Sequence, residues 1–187
     1  PEYSAVIANS EIWPDVTVWQ GKEFQTKMGQ TLRAFLSSGG RTGFVGGSDT
    51  HEGKPAARTA VLVREMTRRA IFDALRHRRN YAVTQDRILL DFRINGHVMG
   101  EEIEVESDPR IVVDVKGTDR IEEVLLVRDG ATLYSLSPET QAVRFQYVDH
   151  SFAGASYYYV RVVQADRDEQ GNRSTAWSSP IWVKRKR

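Results

Sequence analysis

Asp49 and His51 stand two residues apart in the run "GFVGGSDTHEGKP", Gly43 to Pro55. A carboxylate oxygen and a neutral imidazole nitrogen are ordinary ligands for zinc or manganese. At a strand end, residues two apart project to the same side and can share one ion. Small neighbours, Gly46, Gly47 and Ser48, let the backbone pass close to a ligand or to another strand. The bland alternative is a plain loop, in which Ser48 or Asp49 closes a turn through its side chain. Two protein ligands also fall short of the three or four that a zinc site requires. The chain has no cysteine, which excludes disulfides and thiolate ligands.

The elements around this pair read as α/β. Phe24, Met28, Leu32, Phe35 and Leu36 recur at helical spacing, and Gly39 and Gly40 supply a left-handed stop. "TGFVGGSD" reads as a short buried strand with Phe44 and Val45 as its apolar part. A second helix is expected over Met66 to Arg78, with Ala70, Ile71, Ala74 and Leu75 on one face. "NYAVT" closes this half as a strand. Helix, strand, helix, strand is the order of an α/β fold with parallel strands. In an α/β barrel, functional groups sit past the C-terminal strand ends, which is where Asp49 and His51 fall.

After Thr84 the pattern changes to strands. "RILLDFRING" breaks at Asn95-Gly96 and "IEEVLLVRDG" at Asp129-Gly130, both hairpin signals. "RIVVDVKG" places Ile111, Val113 and Val115 on one face, and "AVRFQYVD" alternates through Val143, Phe145 and Tyr147. "SYYYVRVVQA" and "SPIWV" complete the series, with Pro180 at a strand start, where its missing N–H is tolerated. Short strands at this spacing indicate an immunoglobulin-like antiparallel β-sandwich. The boundary is placed near residue 86, giving parts 1–85 and 86–187.

Taken in order, "GFVGGSDTHEGKP", "MTRRAIFDALRHRRNYAVT" and "RILLDFRINGHVMG" resemble the C-terminal end of the PHP (polymerase and histidinol phosphatase) superfamily of metallohydrolases, nearest to its CehA/McbA type. The closing "AWSSPIWV" resembles the end of the β-sandwich that follows the barrel in such proteins. The resemblance implies an α/β part followed by an all-β part: the C-terminal portion of a PHP-type β/α barrel plus an immunoglobulin-like sandwich. It implies that Asp49 and His51 are metal ligands in a cluster of divalent ions (Zn, Mn or Fe). Such ions activate water and polarise a phosphoryl or carbonyl group. A small-molecule ester is the implied substrate, either a phosphoester or a carbamate or amide-like ester.

The family's opening His-x-His pair has no counterpart here. His77 falls on an arginine-rich helix face, while His97 and His150 read as polar loop residues. Glu11, in "IANSEIWPD", is the one early acid available to the site; its alternative is a surface glutamate. The remaining ligands are therefore expected upstream of Pro1, in a longer parent hydrolase, with this chain inactive alone. A second reading is a non-catalytic module, whose sandwich binds a protein or glycan beside a vestigial barrel segment.

The bulk properties are those of a globular chain: 187 residues, 40% hydrophobic, 27% charged, formal net charge +1. That charge argues against a polyanion binder as a whole. The helix carrying Arg64, Arg68, Arg69, Arg76, Arg78 and Arg79 could meet phosphates, but no base-reading motif accompanies it. No apolar run approaches the roughly 20 residues of a membrane helix. Neither nucleic acid nor membrane is expected as a partner. "DRDEQGN", Asp166 to Asn172, has the opening acids of a calcium loop but reads better as a hairpin turn, since Trp177 occupies the twelfth position. Trp13, Trp19, Trp177, Trp182 and Tyr157 to Tyr159 read as core rather than as a sugar platform. A cut barrel would expose a strand edge, which is expected to be covered by a homodimer or by packing the first half on the sandwich.

Overall fold

A computed structural model describes residues 32–47, 57–169 and 171–186. Its elements in chain order are helix α1 (Leu32–Ser37), β1 (Ala57–Val61), α2 (Arg68–Arg76), β2 (Asn80–Thr84), β3 (Leu89–Ile94), β4 (His97–Val98) and β5 (Glu102–Val105). They continue with β6 (Arg110–Arg128), β7 (Ala131–Leu136), β8 (Thr140–Val148), β9 (Ala155–Arg167), β10 (Arg173–Ser178) and β11 (Ile181–Arg185).

The expected α/β arrangement is overturned. β1 and β2 run antiparallel, pairing Ala57 with Thr84 and Val61 with Asn80. β2 in turn pairs antiparallel with β10. Instead of a barrel segment followed by a separate immunoglobulin-like sandwich, the described strands form one hydrogen-bonded sheet of eleven. The sheet is mostly antiparallel and curls into a half-barrel. Parallel pairing occurs, among the described residues, where β5 meets β11.

The reason for the continuity lies in β6. "RIVVDVKG" and "IEEVLLVRDG" form one strand of 19 residues rather than two. Gly117 makes a bulge where the sequence suggested an end. A Cβ there would lie 2.1 Å from Gln164 Oε1, and that same oxygen accepts from Thr118 N at 2.8 Å. Gln164 is fully buried, so it pins the irregularity from the neighbouring strand. Before the bulge β6 pairs with β3 and β8; beyond it, with β9 and β7, while Ile121 still meets Thr140 at the start of β8. One strand thus belongs to both walls of the curl.

Alternation along β9 divides the interior into two clusters. Tyr158, Val160 and Val162 pack with Phe92, Ile111, Val113 and Leu126 inside the curl. Tyr157 and Tyr159 face the other way and pack with Phe44, Trp177, Trp182 and Leu36 of α1. Full burial of one such aliphatic or aromatic side chain stabilises by about 1.5–3 kcal/mol. Aromatics Tyr157 to Tyr159, Trp177 and Trp182 are therefore core, while Trp13 and Trp19 lie outside the described residues.

The hairpins turn where the sequence places them. Asn95 and Gly96 have φ of 51° and 86°, and Asp129 and Gly130 have 51° and 78°, the left-handed pairs that two-residue turns demand. Helix α2 starts behind Thr67, whose side chain accepts from Ala70 N at 3.1 Å. "TGFVGGSD" departs from expectation: over 41–47 it joins no ladder.

Candidate functional site

Asp49, His51 and Glu11 lie outside the described residues. What is described is the pair of stems between which Asp49 and His51 run: residues 43–47 before them and β1 after them. Side chains, rather than a strand partner, satisfy the first stem's backbone. Phe44 N donates to Ser179 Oγ at 2.8 Å, and Asn80 Nδ2 donates to Phe44 O. The Ser179 hydroxyl donates onward to Asn80 O, and both residues are buried. This explains why a strand-like sequence forms no ladder: both backbone groups of Phe44 have side-chain partners instead.

The two stems are joined by a single hydroxyl. Gly46 N donates to Thr59 Oγ1 at 3.0 Å, and Thr59 Oγ1 donates back to Gly46 O at 3.1 Å. Glycine is required for this approach, because a Cβ at residue 46 would lie 2.4 Å from Arg58 O. Gly43 is similarly confined: a Cβ would lie 2.9 Å from Asn80 Oδ1. Phe44 is 2% exposed and meets the Tyr159 ring edge-on at 5.6 Å, anchoring the stem in the second cluster. The chain runs past Gly47 and joins the sheet at Ala57, the two stems sharing one clamped base.

The described histidines are each engaged with one local acid. His77 closes α2, its Nδ1 3.1 Å from Asp73 Oδ1. His97 Nδ1 is 2.7 Å from Glu101 Oε2, and His150 Nδ1 is 3.1 Å from Asp108 Oδ2. Hydrogen bonds from His150 and then Arg185 hold the Asp108 carboxyl below its ordinary range. Among the described residues, no three His, Cys, Asp or Glu side chains converge as a metal site requires. Asp49, His51 and Glu11, the ligands expected from the sequence, lie outside the residues to which this applies.

Other polar clusters are structural. Asp149 is fully buried and accepts from Tyr158 Oη, Arg128 Nη1 and Ser151 Oγ, each at 2.7 Å. Burial works to raise its carboxyl, but the hydrogen bonds from Ser151, Tyr158 and Arg128 outweigh it and hold it below the usual range. Burial, with Asp149 beside it, pushes the Tyr158 phenol far up. With its oxygens so occupied, Asp149 is no general base. The Asp166–Asn172 stretch is the β9–β10 turn, where Asp168 accepts from Gln85 Nε2 and Asn172 N at 2.8 and 2.7 Å.

A shallow groove of about 610 Å³ separates α1 from the β5–β11 edge, lined among others by Leu36, Arg41, Glu102, Tyr157 and Trp182. Its charges are already matched. Arg41 and Arg78 stack on the Trp182 ring, each guanidinium 5.1 Å from the ring centre, and both bond Glu102, at 3.4 and 2.9 Å. No signal in the sequence marked this stack, because its members are far apart in the chain.

An uncharacterized protein of Chlamydia pneumoniae is 30% identical over 194 residues, a match covering 88% of this chain and 30% of that protein. Another, from Chlamydia trachomatis serovar D, is 29% identical over 223 residues, covering 98% of this chain and 35% of its own. A third, from Chlamydia muridarum, is 30% identical and is covered over 28% of its length. The chain thus spans about a third or less of the curated relatives it matches. No protein-family profile and no solved structure matches it.

Proposed function

We propose that this chain is the C-terminal part of a metal-dependent hydrolase of PHP type, acting on a phosphoester or on a carbamate or amide-like ester. Its contribution is the segment carrying Asp49 and His51. The observation that carries this reading is the clamped base of that segment. Ser179 and Thr59 fix the chain at Phe44 and Gly46, ahead of Asp49, and Thr59 lies on the strand that follows His51. Further support comes from the sequence resemblance and from relatives about three times as long as their match to this chain.

Divalent ions, when bound, would supply water activation and polarisation of the scissile group. The role of Asp49 and His51 is to hold such ions through one oxygen and one neutral nitrogen, with the remaining ligands coming from the parent. The test is elemental mass spectrometry of the parent and of its Asp49→Ala and His51→Ala variants, alongside hydrolysis of aryl phosphate and carbamate esters. Near-stoichiometric metal, lost together with hydrolysis in both variants, is expected. A parent that keeps metal and activity without Asp49 and His51 overturns the assignment. A metal-free, inactive parent favours the non-catalytic binding module.

A further inference from the structure

We propose that the outward face of α2 is a docking surface for the part of the parent polypeptide that lies outside residues 1–187. The occupant is an apolar socket rimmed by carboxylates. This rests on the reading above that the chain belongs to a longer hydrolase.

Two large apolar side chains stand in solvent here: Met66, 84% exposed, and Phe72, 64% exposed. Phe72 has Arg68 and Arg69 one turn before it and Arg76 one turn after it, all exposed on the same face. Arg64 extends the patch beyond the helix start. Among the described residues, none of these four arginines takes part in an ion pair. Most other arginines do, including Arg41, Arg78, Arg79, Arg93, Arg120, Arg128, Arg144, Arg173 and Arg185.

Local stability does not account for this arrangement. Arg68 and Arg69 occupy the first turn, where the helix dipole disfavours cations, and no acid is present there. Met66 holds the position that could staple onto Ile71, yet it is left in water. The helix buries only Ala74 fully, so its outer face contributes nothing to its own attachment.

The composition points to a protein surface as occupant. Every cation in this stretch is arginine and none is lysine. Interfaces between protein surfaces enrich arginine and aromatics and deplete lysine, and an aromatic anchor ringed by arginine is their usual energetic centre. A phosphate backbone would reward the arginines but not Met66 and Phe72. The relatives supply the candidate: well over half of each lies outside the match to this chain.

The absence of cysteine from this chain makes single-site labelling clean. Phe72→Cys, with Gln146→Cys on exposed β8 as control, is introduced into the 187-residue chain and into the parent, and maleimide modification is followed on the labelled peptide. Position 72 is expected to react about tenfold or more slowly in the parent than in the chain, with position 146 unchanged. Adding Arg69→Glu and Arg76→Glu should restore the fast rate in the parent. Equal rates at position 72 in both proteins overturn the proposal, as does a gene encoding nothing beyond these residues. Protection in the chain alone that grows with its concentration, or arises only with added DNA or anionic vesicles, assigns another occupant and also overturns it. Metal content of the Phe72→Cys parent is read separately. Metal retained with position 72 freely labelled sinks only the dock; metal absent with position 72 protected sinks only the hydrolase.

Discussion

Two arginine-bearing regions of this molecule treat charge in opposite ways. At the β8–β9 connection, Arg128 is spent internally: its guanidinium meets a fully buried carboxylate that also holds Tyr158 and Ser151. On α2, Arg68, Arg69 and Arg76 surround an exposed phenylalanine, and neither they nor Arg64 before the helix meet a carboxylate of the described residues. The first arrangement stabilises only the chain that contains it. The second gains no ion pair from the described residues and is open to something else that arrives. Variants should therefore separate the regions by what they damage.

The largest loss is expected from Asp149→Ala, which leaves Arg128 and Tyr158 without their acceptor. Breaking a buried pair in this way costs about 3–5 kcal/mol, read as a lowered urea midpoint. Gly46→Ala places a Cβ 2.4 Å from Arg58 O and should cost about 1–3 kcal/mol, with faster proteolysis between residues 47 and 57. Ser179→Ala leaves the buried Phe44 N–H unpaired, an expected loss of about 1–3 kcal/mol with the same proteolytic signature. Acid sharpens the contrast. The folded Asp149 carboxyl is held below its unfolded value of about 3.9, so its stabilisation is present above that pH and is lost as pH falls through the folded value. Asp149→Asn should be less stable at neutral pH but decline less steeply below about pH 4. At the other extreme, Arg68→Gln with Arg76→Gln should change the stability of the isolated chain by no more than about 0.5 kcal/mol.

Local chemistry was legible in the sequence, and pairing was not. Asn95-Gly96 and Asp129-Gly130 announce their turns because left-handed geometry is a property of the residues themselves. The apolar face of Ala70, Ile71, Ala74 and Leu75 places α2 to within about two residues of its expected span, the usual scatter of helix ends. "NYAVT" is a strand as read, but its partners are β1 and, far along the chain, β10, and both pairings are antiparallel. A run of apolar residues carries no record of which edge it joins. β1 escaped notice because Arg58 and Thr59 interrupt its apolar pattern, each for a local bond: Arg58 Nη1 with Gln85 O, Thr59 with Gly46. Gly117 looked like a stop, and became a bulge only because Gln164 reaches it from β9. For the site, the sequence offers Asp49 and His51 by type and spacing alone. The clamp beneath them uses Ser179, whose serine-rich surroundings read merely as the end of a pattern.

Ser179 has a consequence for how the protein is made. Its hydroxyl meets Phe44 across 135 residues of chain and Asn80 across 99. A ribosome needs on the order of 10 s to synthesise such a length, and non-local contacts of this kind form late. During that interval Thr59 and Asn80 can already meet Gly46 and Phe44 O, but the Phe44 N–H lacks its acceptor and β2 lacks β10 on its second side. The clasp closes only when β10 and Ser179 after it emerge. A chain ending just before Ser179 would thus leave the Phe44 N–H without its acceptor and Asn80 O without its donor.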